Sequence, residues 1–206
     1  MDQAIRCRQN VEESENLLND FQLARDALST LPVNVKCLSP AMWMPPPEYK
    51  IRLDVDAAYT EESNSCSIGG VVRNHEGQPI VVFGRKIDMP QSVICAELLA
   101  ILGGIKQAQM HNLEIHHIAS DSLFSVQAVT TPEENLSYSG SIVTEIKLLL
   151  NSWNSTSLFH VRRSANMVAH SIAAFVISSN SQFVWEIGDF PVWLIHLVTK
   201  DLLALQ

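Results

Sequence analysis

Apolar and polar side chains follow two different spacings along this chain of 206 residues. In residues 10–31 the apolar positions recur at near-helical spacing, which predicts an amphipathic helix. Residues 32–49 contain five prolines, and we expect an extended linker there because proline interrupts regular structure. From Lys50 the spacing becomes that of a strand, since IRLDVDAAY alternates apolar and polar positions. We therefore predict an N-terminal helix and Pro-rich linker over 1–49 and a main domain over 50–206.

The main domain shows the element order of an α/β protein. CSIGGVVRN and PIVVFGRKI flank the turn NHEGQ and predict two further strands of a meander. A long, largely buried helix (SVICAELLAILGGIKQAQ), a strand (EIHHIAS), a helix (SYSGSIVTEIKLLLNSW), a strand (TSLFHV) and a helix (SANMVAHSIAAFVISS, with Ser164 as its N-cap) follow. FPVWLIHLVTKDLL predicts a short amphipathic helix packed back on the domain. This order predicts a mixed sheet flanked by helices.

Composition narrows the class of protein. Hydrophobic residues make up 47% and charged residues 17%, as in ordered globular proteins. No apolar run approaches the roughly 18 residues that a membrane span needs, and the first twenty residues are acidic and polar. We therefore expect no membrane segment, no signal peptide and an intracellular location, cytoplasmic or nuclear. The four cysteines form no CxxC pair, which argues against a zinc site and a disulfide framework.

The net charge restricts any nucleic-acid function. The chain carries a formal charge of −8, and from Lys50 onward it has ten basic and fifteen acidic residues. Proteins that hold a nucleic-acid backbone usually present a basic surface, because Lys and Arg neutralise the phosphates. Because the net charge of the chain is negative, a nucleic-acid role therefore requires a local cluster of basic residues.

Three carboxylates stand where burial normally excludes them. Asp56 lies in an apolar strand, Glu97 lies within ICAELLAIL, and Asp121 directly follows a strand. Two carboxylates about 4 Å apart repel by roughly 4 kcal/mol at an effective dielectric of about 20, so convergence requires a cation. An all-oxygen site suits Mg²⁺ or Mn²⁺ and not Zn²⁺. Taken singly, Glu97 can instead be a helix-surface residue and Asp121 the N-cap of the next helix.

The order of these motifs carries a resemblance. LDVDAAY, IGGVVRNHEGQPI, AELLAILGGIKQA, ASDSLFSV and HVRRSANMVAHSIA together resemble the type 1 ribonuclease H domain. The chain is more closely similar to plant ribonuclease H-like domains related to the reverse transcriptases of non-LTR retroelements, to which WMPPP and the ending FPVWLIHLVTKDL also correspond. The resemblance covers about Trp43 to Leu203.

The resemblance implies a five-stranded mixed sheet flanked by helices and two-metal hydrolysis of the RNA strand of an RNA–DNA hybrid, with Mg²⁺ or Mn²⁺ as cofactor. The metal-binding carboxylates of the family match Asp56, Glu97 and Asp121. His160 matches a histidine that assists proton movement or product release. The family's fourth carboxylate, four residues after an asparagine that here is Asn166, is replaced by a histidine. That residue, His170, is the main departure from the family.

The histidine at this position leaves several interpretations open. His170 can be a ligand, most suitably for Mn²⁺, or a structural residue of a domain that has lost catalysis. Asp54 can supply the missing carboxylate, since it lies two residues from Asp56 on the same strand face. The competing functions are a hybrid-specific nuclease and a non-catalytic nucleic-acid-binding or interaction module. A protein partner docked on the helix of residues 10–31 is a third possibility.

We assign the expected contacts to a nucleic-acid substrate from residue type alone. We expect Gly69 and Gly70 to let a phosphate or ribose approach the strand backbone. The other expected contacts to nucleic acid are Arg73, Lys106, Arg162, Arg163 and Asn166. The segment TTPEENLSYSGSIVTEIK is short and not basic, which predicts weak affinity for a duplex.

Overall fold

The computed structural model describes residues 40–60, 65–87, 92–131, 138–153 and 155–205. The chain divides into two compact units, Met1–Ser39 and Pro40–Gln206, and the described residues all belong to the second. The helix predicted for residues 10–31 lies outside the described residues. The second unit begins ten residues before the boundary predicted at Lys50. The last part of the proline-rich segment belongs to it because Trp43 is buried there, with 1% of its surface exposed.

The described residues form one mixed sheet with the strand order β5-β4-β1-β2-β3-β6. Its strands are β1 (Arg52–Thr60), β2 (Ser65–Arg73), β3 (Pro79–Ile87), β4 (His117–Ser120), β5 (Ser157–His160) and β6 (Phe183–Glu186). β1, β2, β3 and β6 pair antiparallel in that order, whereas β4 and β5 are parallel to β1. The prediction of five strands is corrected to six, because FVWE adds a short edge strand to β3.

Helices cover both faces of the sheet. They are α1 (Val93–Met110), α2 (Leu123–Thr130), α3 (Tyr138–Asn151), α4 (Met167–Ser179) and α5 (Val192–Leu203). The larger core joins one face of the sheet to α1, α2 and α3, and the smaller core joins the other face to α4 and α5. Alternation along β1 explains this division, because Leu53 and Val55 point into the larger core and the residues that alternate with them, Asp54 and Asp56, point to the other face.

Helix α1 is the central helix of the larger core. It is also the one described helix long and apolar enough to cross a membrane, with a mean hydropathy of 1.3 over 18 residues, which corrects the expectation that no apolar run has this length. More than half of this window, 56%, is buried within the domain. Its two glycines allow that packing, because a Cβ at Gly103 would lie 2.6 Å from Ile68 Cδ1 and one at Gly104 would lie 2.7 Å from Val55 Cγ1.

Candidate active site

Three carboxylates from different elements meet at one place. One ligand oxygen from each of Asp56, Glu97 and Asp121 lies within 4.8 Å of the others. Asp56 lies in β1 and Asp121 directly follows β4, its parallel neighbour, in which Ala119 pairs with the residue two before Asp56. The register therefore brings these two aspartates level with each other, and the second turn of α1 adds Glu97. The convergence predicted from the sequence is present in the structure.

Two of the carboxylate oxygens at this place have no hydrogen-bond partner among the described residues. Asp56 Oδ1 and Glu97 Oε2 are buried and make no hydrogen bond within the described part of the chain. Burial, with repulsion from Asp56 and Asp121, raises the pKa of Glu97 well above its ordinary value. Burial also raises the pKa of Asp56 to about 7, although a hydrogen bond with His170 opposes the rise. Unpaired oxygen donors in a group of three carboxylates fit a hard divalent cation such as Mg²⁺ or Mn²⁺.

The position of the expected fourth carboxylate is closed by two side chains. His170 Nδ1 lies 2.8 Å from Asp56 Oδ2 in a hydrogen bond. Arg163 Nη2 lies 3.0 Å from Nδ1 and 2.8 Å from Nε2 of His170, so the guanidinium lies across the imidazole. Arg163 Nη1 is also 3.8 Å from Asp121 Oδ2. The sequence predicted Arg163 as a contact to nucleic acid, and the structure places it beside His170 and Asp121 in the candidate site.

Asn166 and His160 position the Asp121 segment. Asn166 is 1% exposed, and its side-chain amide donates to Val55 O at 2.9 Å and to Asp121 Oδ1 at 3.2 Å. The prediction that Asn166 contacts nucleic acid is therefore wrong, because its amide is bonded inside the protein. His160 Nε2 is 3.2 Å from the backbone oxygen of Asp121, and burial lowers the pKa of His160 although that contact opposes the shift. His160 thus lies at the site, as expected.

The start of α4 differs from the prediction that Ser164 is the N-cap of this helix. Ser164 lies in a 3₁₀ turn, Arg163–Ala165, and its hydroxyl donates to Ala41 O instead of capping the helix. Asn166 takes the N-cap position but makes no side-chain cap bond. Its amide nitrogen donates to Val55 O and Asp121 Oδ1, and its Oδ1, the atom that would accept from the helix, has no hydrogen-bond partner among the described residues. Asn166 therefore positions Asp121 and does not cap the helix.

Gly69 and Gly70 serve the packing of the domain. A Cβ at Gly69 would lie 2.4 Å from the backbone nitrogen of Ala173 in α4, and one at Gly70 would lie 2.4 Å from the ring of Phe83. Both glycines are buried. The expectation that they admit a phosphate or ribose is therefore corrected, since α4 and an aromatic ring already fill those spaces.

Asp54 and Arg73 belong to a buried ion network away from the three carboxylates. Asp54 Oδ1 accepts from Arg52 Nε at 2.7 Å, and Oδ2 accepts from Arg73 Nη2 at 3.1 Å and from Trp43 Nε1 at 3.0 Å. Arg73 also pairs with Asp201 Oδ2 at 2.8 Å and stacks on the Trp43 ring at 3.6 Å. Burial opposes ionisation of Asp54, but the two arginines outweigh it and lower its pKa.

This network corrects two predictions. Asp54 does not replace the missing carboxylate, because both its oxygens are taken by cations and the Trp43 indole. Arg73 does not contact nucleic acid, because it is 1% exposed. Of the other predicted cations, Lys106 is paired with Glu145 at 2.7 Å on the surface, and Arg162 is exposed.

A cleft of about 500 Å³ opens at the site between α1 and α4. Its lining includes Tyr59, Val93, Glu97, Arg163 and His170. A larger cleft of about 600 Å³ lies between α2, α3 and β5, and Lys147 is the one charged residue of its lining. The smaller of these two clefts is therefore the candidate active-site cleft, because its lining includes several charged and titratable side chains.

The fold is ribonuclease H-like, and three carboxylates converge in it. The reverse transcriptase-like family matches residues 54–176, more than half of the chain, and the chain belongs to this family. A search of the curated proteins found no match.

Solved structures agree with this assignment. The chain is similar to RNase H1 from the halophilic archaeon Halobacterium salinarum NRC-1, with a TM-score of 0.58 and 18% identity over 63% of this chain and 98% of that one. It is also similar to LC11-RNase H1 in complex with an RNA/DNA hybrid, with a TM-score of 0.52 and 18% identity over 64% of this chain and 100% of that one. At these identities the likeness shows the fold alone.

Proposed function

We propose that the domain hydrolyses the RNA strand of RNA–DNA hybrids endonucleolytically, using divalent cations. The observation that carries the proposal is the group of Asp56, Glu97 and Asp121, in which two buried carboxylate oxygens have no hydrogen-bond partner in the described part of the chain. The family match and the likeness to ribonucleases H, one of them bound to an RNA/DNA hybrid, support the substrate.

The three carboxylates would hold Mg²⁺ or Mn²⁺, and the second cation of the two-metal chemistry implied by the resemblance would adjoin Asp56 and His170. Such cations activate a water molecule and stabilise the leaving oxygen in phosphodiester hydrolysis. Burial lowers the pKa of His160, which favours the neutral imidazole, so this side chain can serve as a proton acceptor at the site. Asn166 holds the Asp121 carboxylate by its amide.

Binding of a duplex would rely on few cations. Arg163 lies 3.8 Å from Asp121 Oδ2 and is exposed, as is its neighbour in sequence, Arg162, and the chain as a whole is acidic. Each phosphate contact adds to the salt dependence of binding, so few contacts imply a shallow dependence on salt concentration. We propose that affinity for the hybrid is weak and only modestly sensitive to salt.

A cleavage assay tests the proposal. The full chain is incubated with Mg²⁺ or Mn²⁺ and a hybrid labelled in its RNA strand, beside Asp56→Asn, which removes a ligand charge, and Asp189→Asn, which changes an exposed aspartate far along the chain. We expect cleavage by the wild type and Asp189→Asn and none by Asp56→Asn. Wild-type cleavage no greater than that of Asp56→Asn would reject the nuclease function.

A non-catalytic nucleic-acid-binding or interaction module on the same fold is the second candidate. The observation that favours it is the direct bond between His170 and Asp56, which satisfies groups that a catalytic centre would offer to a cation. His170→Asp discriminates between the two. Cleavage by this variant alone would indicate a degenerate catalytic site, and an inactive variant beside an inactive wild type would indicate a binding module.

Three further expectations stay predictions. They are a plant, retroelement-related origin, an intracellular location, and a protein partner on residues 10–31. Deleting residues 1–39 tests the last, since an unchanged assembly state by light scattering would argue against a partner that joins copies of the chain.

A further inference from the structure

The bond between His170 and Asp56 changes what the second cation position can hold. A carboxylate at residue 170 would face Asp56 with like charge and would need a cation between the two groups. The imidazole instead shares a proton with Asp56 across 2.8 Å, so this pair is satisfied without any cation. Asp56 still presents its other buried oxygen, Oδ1, which has no hydrogen-bond partner among the described residues.

Arg163 adds positive charge at the same place. Its guanidinium lies within 3.0 Å of both ring nitrogens of His170 and 3.8 Å from Asp121 Oδ2. The side chain is 61% exposed, so it reaches back over the imidazole from the surface. A cation bound next to His170 would therefore meet a like charge and a nitrogen atom already engaged with Asp56.

We infer that the free domain binds one divalent cation, on Asp56, Glu97 and Asp121, and that His170 and Arg163 together close the second cation position. The inference rests on the proposed function only in taking the three carboxylates as a cation site. The free domain thus differs from a four-carboxylate centre in the number of cations it holds. In any turnover, the second cation would enter only after Arg163 has moved away and the Asp56–His170 hydrogen bond has broken.

Counting bound Mn²⁺ tests the inference without any measurement of activity. The full chain is titrated with Mn²⁺ at pH 7.5 without nucleic acid, and free Mn²⁺ is followed by electron paramagnetic resonance. We expect one bound cation per wild-type chain and two per chain of His170→Asp. Ser179→Asp adds a carboxylate farther along α4 and should still bind one, which controls for the change in net charge.

Arg163→Gln provides a second measurement that does not depend on how well His170→Asp folds. Removing a like charge beside the bound cation should strengthen its binding by about three- to tenfold, an amount kept small because Arg163 is largely exposed. Two cations per wild-type chain, one per chain of folded His170→Asp, or unchanged affinity in Arg163→Gln would overturn the inference and leave the proposed function standing. No bound Mn²⁺ in the wild type would overturn the inference together with the proposed cation site.

Discussion

Replacing Glu97 by glutamine should stabilise the metal-free domain while removing its response to cations. Glu97 is buried beside Asp56 and Asp121, and one of its oxygens has no hydrogen-bond partner among the described residues. Glutamine has the same shape and no charge. Its amide can donate to the neighbouring carboxylates, so the substitution replaces repulsion by hydrogen bonding.

The size of the gain follows from the spacing of the carboxylates. Two charges 4.8 Å apart repel by about 3.5 kcal/mol at an effective dielectric of about 20. Protonation limits this cost, because the pKa of Glu97 is raised and the wild type relieves part of the repulsion by taking up a proton. We therefore expect a gain of about 1–3 kcal/mol, or roughly 3–10 °C in Tm for a domain of this size.

The same shift gives the gain a pH dependence. Because the folded-state pKa of Glu97 lies above its unfolded value, the metal-free wild type loses stability as the pH rises through the folded pKa. Glu97→Gln has no such group at this position. The difference in Tm between the two proteins should therefore be larger at pH 8.5 than at pH 5.

Thermal unfolding by circular dichroism, with EDTA and with saturating Mg²⁺, measures these effects. Mg²⁺ should raise the Tm of the wild type and leave that of Glu97→Gln nearly unchanged. Glu145→Gln is the matched control, since Glu145 is half exposed beside Lys106 and its loss should change stability by less than about 0.5 kcal/mol. Lower stability of Glu97→Gln in EDTA at pH 8.5 would refute the account of the carboxylates as an uncompensated group.

Two further predictions concern the parts of the domain that support the site. Arg73→Met should lower the free energy of unfolding by about 3–5 kcal/mol in urea titrations, because it leaves Asp54 partly uncompensated in a buried position. Arg85 is exposed, so the control Arg85→Met should change the free energy of unfolding by less than about 0.5 kcal/mol. Equal effects of the two substitutions would contradict the buried network. Gly69→Ala should lower stability by about 1–3 kcal/mol or more, because its Cβ would lie 2.4 Å from the backbone nitrogen of Ala173, and an unchanged Tm would show that α4 is free to move away.

The pattern of the sequence predicted most of the elements, and the resemblance to ribonuclease H domains implied that the three carboxylates lie at one site. Strand alternation placed Asp56 opposite the larger core, and the position of Asp121 after β4 brought it beside Asp56 once the two strands paired in parallel. The edge strand β6 was missed because four residues carry too little periodicity to separate a strand from a loop. The helix α1 was predicted at its observed length, and only its apolar character as an 18-residue segment was underestimated. Its two glycines interrupt the run of large apolar residues in the sequence, although both are packing contacts in the structure.

The partners of charged and small residues could not be read from the sequence. Arg73 had the appearance of a surface cation, but it is buried because Asp54 and Asp201, 19 residues before it and 128 after it, supply opposite charges. Gly69 was expected to contact the substrate because the sequence alone does not reveal that α4 packs directly against this glycine. Such pairings depend on tertiary contacts between residues far apart along the chain, for which local spacing gives no signal.

The proposed hydrolysis of the RNA strand of RNA–DNA hybrids is tested by measuring which strand of a hybrid is cut. A hybrid whose RNA and DNA strands carry different labels is incubated with the full chain and Mg²⁺ or Mn²⁺, beside a sample with EDTA. We predict that the RNA strand is cut internally, the DNA strand stays intact, and EDTA abolishes the reaction. Cutting of both strands alike, cutting that persists in EDTA, or no cutting of the RNA strand would contradict this prediction.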